Sequence, residues 1–278
     1  MPSTDYATAF GFHSIPAAVV IALVYFPLFL WFIRQSIKNT TYVYISLTVF
    51  CLMRVAAFVL RAILSGSTTL GDNLDVFIAD EILFGVGFFA LLYSAYTLVL
   101  DRELITGRQP EDYLPLKIMR NRRLFRILLI VGVALGVSGI SDASSANPST
   151  ASNGAQLRRV STILFLVLTI IQALQTFIAF KESTGAGYRG DTRKFGDRNG
   201  KYILCQISAF LLVREAFLTA TIGNSTRQND ERLWYPFVAL PEVFAVACYA
   251  VSGLVPPRSE LNKQLESAKL NTVVASYP

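Results

Sequence analysis

Seven ionisable side chains stand inside long apolar stretches of this sequence: Arg54, Arg61, Asp80, Glu81, Arg214, Glu215 and Glu242. Charge is costly in hydrocarbon, so such groups turn inward, pair with one another and mark function. Arg54 and Arg61 lie seven residues apart and share a helix face. The set holds three positive and four negative charges and can nearly neutralise itself, as buried charges must. Two amides, Gln172 and Gln175, lie in another apolar stretch. Each can hold an interhelical hydrogen bond or a polar group of a ligand. Two readings follow. In the first, a carboxyl group in low dielectric stays protonated and acts as an acid. Glu215 or Glu242 is then the acid, Asp80 or Glu81 its partner, and the arginines position them or grip a polar head. In the second, the charges are interhelical ion pairs that fix packing and take no ligand. Asp80 and Glu81 would then cap a helix start, and Arg61 would extend along its stem to the interface.

Other chemistries are absent from the pattern. There is no phosphate-binding glycine loop, dinucleotide fingerprint, H-E-x-x-H or C-x-x-C. His13 is the single histidine, which excludes a metal or heme site built on several. The last apolar run has no lysine for a retinal Schiff base. Cys51, Cys205 and Cys248 each fall in an apolar run and read as small apolar residues. No cofactor and no metal is expected.

The elements that must position these residues follow from hydropathy. The chain has 278 residues, 53% of them hydrophobic and only 16% charged. A soluble surface needs more charge than that. A mean hydropathy of +0.47 agrees. Seven runs approach the roughly 20 apolar residues that span a bilayer. They are 14–33, 42–64, 77–100, 124–140, 160–180, 202–222 and 233–255. The first is too long for a signal-peptide core and lacks a cleavage site. The reading is an all-α polytopic bundle of seven transmembrane helices over 1–257, followed by a polar, disordered tail, 258–278. Lys and Arg are split eighteen to four between the two alternating sets of connections. The heavy set is cytoplasmic by the positive-inside rule, so the N-terminus is out and the C-terminus in. The net charge of +6 then suits an anionic leaflet rather than nucleic acid.

This topology puts all seven charges in the outer half of the bilayer, with His13 and Asp142 at the rim. It predicts a polar cavity open to the outer side. Connection 142–156 reads as flexible and 182–200 as irregular. The sequon at Asn224 lies outside and is a glycosylation candidate, whereas that at Asn39 lies inside. Gly132, Gly136 and Gly139 predict close helix contact in the fourth run. Pro236 and Pro241 predict a kink in the seventh. The partners expected are membrane lipid and a lipophilic small molecule, in an endomembrane such as the endoplasmic reticulum or in the plasma membrane.

Two stretches carry a resemblance. Span two, YISLTVFCLMRVAAFVLRAIL, is similar to an arginine-bearing helix of small fungal seven-helix membrane proteins. The stretch LLVREAFLTATIG, followed by LWYPFVALPEVFAVACY, is distantly similar to the sixth and seventh helices of fungal aminocholesterol-resistance-type lipid exporters. Arg214, Glu215, Tyr235 and Glu242 occupy the matching places. In size, topology and acid placement the chain also resembles the membrane-bound terpene cyclases of fungal meroterpenoid pathways. That resemblance implies acid-catalysed cyclisation of a prenyl epoxide, an isomerase-type step in secondary metabolism. The exporter resemblance implies lipid or small-molecule translocation. The topology alone also admits a receptor-like sensor.

Overall fold

The computed structural model describes residues 14–66, 74–105, 119–145, 147–183 and 194–275. Among these there are helices and turns but no strand. The helices are α1 (Ile15–Lys38), α2 (Tyr42–Gly66), α3 (Leu74–Ile105), α4 (Arg122–Ala143), α5 (Pro148–Ser183), the short α6 (Phe195–Arg198), α7 (Gly200–Thr221), α8 (Ser225–Asn229), α9 (Glu231–Trp234), α10 (Leu240–Tyr249) and α11 (Arg258–Ala275). A π-helical segment, Tyr235–Ala239, joins α9 to α10.

Local chemistry sets the starts. Ser14 caps α1 by accepting from the Ala17 N–H, and Pro16 sits where its missing N–H costs nothing. Asn121 caps α4 by accepting from Arg123 and Leu124. Six helices, α1 to α5 and α7, are long and apolar enough to cross a membrane. Their outward faces carry exposed Val20, Leu23, Ile127, Phe177 and Val213. The chain is a polytopic, multi-pass helical membrane protein.

The seventh expected run folds as α9, the π segment and α10 in direct succession, with helical backbone at the joins. None of the three alone reaches spanning length. The break has a cause in the sequence. Pro241 has no N–H, so the carbonyl four residues earlier loses its partner. The ladder widens, and the Leu240 N–H donates to the Tyr235 carbonyl five residues back.

α3 is the most enclosed of the six long helices and α1 the least. α3 packs against α2 and α4 and touches α5 and α7. α1 lies on α2, α5 pairs with α4 and α7, and α10 lies against α7 and reaches α1. The glycines of α4 serve this packing. A Cβ on Gly139 would stand 2.7 Å from the Arg158 backbone N and 2.9 Å from the Gly154 carbonyl. Gly132 offers its carbonyl to the Ser161 hydroxyl at 2.7 Å. The close contact predicted for the fourth run is therefore made within the chain, with α5.

Three expectations need correction. Connection 142–156 is not flexible coil: α4 runs to Ala143 and α5 begins at Pro148, because Asn147 and Pro148 form a helix start. The tail is not coil either, since α11 covers Arg258–Ala275. In connection 182–200, α6 and the start of α7 are ordered by a contact outside the connection, the Gly196 N–H donating to the Ser252 carbonyl at 3.0 Å. His13 and residues 106–118 and 184–193 lie outside the described residues.

Candidate functional site: a buried arginine–carboxylate chain

Four of the expected charges meet. Arg54 stands at the middle of α2 and grips Glu242 of α10 with two nitrogens, Nε to Oε2 and Nη2 to Oε1, each at 2.7 Å. Arg214 of α7 donates from Nε to the same Glu242 Oε1 at 2.6 Å. Its Nη1 pairs with Glu215. The order Arg54–Glu242–Arg214–Glu215 alternates in sign and sums to zero charge. All four are buried, Arg54 at 0% exposure and Arg214, the most accessible, at 5%. Two-pronged charged hydrogen bonds of this kind are the strong ones.

Arg54 is also held from a third helix. Its Nη1 and Nη2 donate to the Leu83 and Phe84 carbonyls of α3, at 3.3 and 3.1 Å. The seat exists because residue 87 is glycine: a Cβ there would stand 2.9 Å from Arg54 Nη1. Rings cover the guanidinium faces. Arg54 lies 4.8 Å from Phe50 and 4.6 Å from Phe84, and Arg214 lies 3.9 Å from Phe88. Such contacts gain weight where water is absent. Tyr25 of α1 is fully buried within electrostatic reach of Glu242, Arg54 and Arg214, and its hydroxyl has no hydrogen-bond partner.

Arg61 and Asp80 form a separate pair, nearer the end of the bundle at which α1 begins. Arg61 Nη2 lies 2.8 Å from Asp80 Oδ2. The guanidinium sits 4.3 Å from Phe84 and 4.1 Å from Trp234. Asp80 Oδ1 is buried with no partner.

The profile of a family described as Domain of unknown function (DUF7702) matches residues 16–255, most of the chain and all of the elements named above up to α10. The chain belongs to that family. No curated protein and no solved structure matches it.

The DUF7702 domain leaves the other sequence candidates apart from this chain of charges. Glu81, next to Asp80, pairs instead with Arg158 of α5 at 2.7 Å. Gln172 of α5 donates to Thr176 and to Ser208 of α7, both at 3.0 Å. Gln175 donates to the Met119 carbonyl, which also accepts from Tyr96 at 2.9 Å. Neither glutamine bonds to an arginine of the set; Gln172 makes the interhelical hydrogen bond that was one of its two readings, and Gln175 ties α5 to the connection before α4. Arg54, Arg214, Glu215 and Glu242 do not line an outward-open cavity but bond to one another beneath aromatic rings. Among the described residues no three His, Cys, Asp or Glu side chains come together as a metal site would need.

Sequence reasoning missed the seat and, of its cover, the rings of Phe50 and Phe84. Gly87, and the rings of Phe50, Phe84, Phe88 and Trp234, are as much part of the arrangement as the charges. The signal for Gly87 was present: a glycine inside an apolar helix marks close approach of another group.

Proposed function

We propose that this protein is a seven-helix membrane translocator for a lipophilic small molecule or lipid, gated by the arginine–carboxylate chain, with N-terminus out and C-terminus in. The observation that carries the reading is Glu242 of α10 held at once by Arg54 of α2 and Arg214 of α7. A buried ion pair seldom adds net stability over apolar residues of the same volume. A chain of alternating charges does supply something apolar packing lacks: partners that can be exchanged while neutrality is kept. Glu242 can be released by one arginine and kept by the other, letting α10 move against α2 or α7. Intramembrane charges mark substrate paths in transporters.

The geometry bears on the alternative, a terpene cyclase. Glu215 and Glu242 are each bonded to arginine, which leaves both engaged within the bundle rather than facing a substrate. That reading rests on Asp80, whose Oδ1 is unpartnered. Microsomes that cyclise a farnesylated phenol epoxide, and stop doing so with Asp80→Asn, would establish it.

The orientation is supported at both sequons. Asn39 has its amide engaged on both sides, Nδ2 donating to the Pro256 carbonyl at 3.3 Å and Oδ1 accepting from the Arg258 N–H at 3.0 Å. It suits a protein-covered cytoplasmic face. Asn224 is exposed. Loss of an endoglycosidase-sensitive mass in Asn224→Gln supports N-out, and a glycan on Asn39 reverses it. The seventh crossing is assigned to the run 231–249.

The deciding experiment reconstitutes the full chain in vesicles carrying fluorescent phospholipid or a fluorescent prenyl compound and follows loss of inner-leaflet protection from an impermeant quencher. Translocation above protein-free vesicles, altered by Glu242→Gln, supports the reading. Rates equal to protein-free vesicles for both probes overturn it, and a sensor or cyclase then takes its place.

A further inference from the structure

At the end of the bundle near Asp80, two neighbouring residues each carry a polar atom without a hydrogen-bond partner. Asp80 Oδ1 is a buried acceptor without a donor, and Tyr235 Oη is a buried hydroxyl without a partner. The Tyr235 side chain lies within electrostatic reach of Asp80 and Arg61. Such buried vacancies are rare in folded proteins, and each calls for an explanation. Tyr235 is the first residue of the π segment, a widened turn of a kind that recurs at functional sites. Around the pair stand the rings of Phe84 and Trp234, which lie 5.1 Å apart edge to face, and Trp234 meets Tyr235 at 5.3 Å.

The chemistry of the missing group can be read from its surroundings. One atom needs a donor and the other, a phenol, can give one. A single hydroxyl satisfies both. Asp80 already has a counter-charge, since Arg61 stands 2.8 Å from its Oδ2. An ionic ligand would bring uncompensated charge into a dry site. The rings of Phe84 and Trp234 line it and the helices that carry it are apolar, so the rest of the ligand is apolar.

We propose that Asp80 and Tyr235 together bind the hydroxyl group of a lipophilic alcohol, whose O–H donates to Asp80 Oδ1 while its oxygen accepts from Tyr235 Oη. Prenyl alcohols and sterols share this chemistry. The site takes its purpose from the translocation reading, as the place where the cargo's head group docks, but its binding is measured separately.

The test uses the full chain in phosphatidylcholine nanodiscs with two photoactivatable diazirine probes, a farnesol and a cholesterol, each beside its methyl ether. The alcohol of one source labels residues within 74–84 or 231–249 in a saturable way, and the label identifies that source. The methyl ether, lacking the O–H, labels about tenfold more weakly, the scale of one buried hydrogen bond. Tyr235→Phe weakens the alcohol by a similar factor at unchanged melting temperature. Asp80→Asn is the second variant, read only where its melting temperature shows that it folds. If alcohol and ether label alike, or Tyr235→Phe changes nothing, the two atoms hold ordered water alone and the proposal falls. Alcohol binding without vesicle translocation breaks the translocation reading and leaves this site standing. Translocation without preference for the alcohol does the reverse.

Discussion

The two sides of the bundle are held by opposite means. Where α2, α3, α7 and α10 meet, two arginines and two glutamates bond in a row beneath aromatic rings. Where α4 meets α5, small residues let backbones touch, and a hydroxyl bond from Ser161 to Gly132 spans them. Lipid offers helices no hydrophobic reason to associate, so close packing and polar contact are the two means left. The α4–α5 side uses the first and has no partners to exchange. The charged side uses the second, at the cost of burying four ions. A bundle that only had to stay together could have used the α4–α5 solution throughout.

Breaking the charged side gives the largest effect. Glu242→Ala leaves two guanidinium groups short of an anion and should cost about 3–5 kcal/mol in a detergent unfolding titration. The comparison sharpens when the whole row is removed: Arg54→Met, Arg214→Met, Glu215→Gln and Glu242→Leu combined should restore near-normal stability, since apolar replacements of buried ion sets are often neutral or better. Translocation should stay lost. A combined variant that is both stable and fully active would show the charges to be packing alone.

On the other side, Gly154→Ala drives a Cβ into the α4 backbone at Ala143, which has no flexible end to yield. We expect a loss of up to about 3 kcal/mol, seen as a lower melting temperature with the charged row intact. Gly87→Ala is milder, because the group displaced is the tip of Arg54. A loss of about 1–2 kcal/mol is expected, and it should shrink when Arg54 is already Met, a coupling a double-mutant cycle reads directly. Ser161→Ala is the smallest, about 0.6 kcal/mol, the usual scale of an interhelical hydrogen bond in a membrane.

Hydropathy alone located the six long helices to within a few residues at most ends, because spanning length and apolar content are local properties. It also picked out Arg54, Arg214, Glu215 and Glu242, since charge inside such a run stands out without any knowledge of packing. Partner choice was not legible. Asp80 and Glu81 are neighbours in sequence yet turn to different helices, α2 and α5, because adjacent helical residues point about 100° apart. Gln172 and Gln175 share the run 160–180, which holds no charge, and answer to Ser208 and Met119 instead. The break in the last run was legible, since Pro236 and Pro241 predict a kink there, but its form, a widened turn ahead of Glu242, was not.

Asn39 joins the first inter-helix connection to Pro256 and Arg258. At the opposite end of α1, the Ser14 N–H donates to Glu231 at 3.1 Å. Helix α1 is thus fastened, top and bottom, by residues synthesised more than two hundred positions later. During insertion it must wait against lipid, paired only with α2, until the final segment emerges. Assembly therefore closes like a clasp, and a ribosome halted before residue 231 leaves a bundle in which α1 lacks these anchors at both ends.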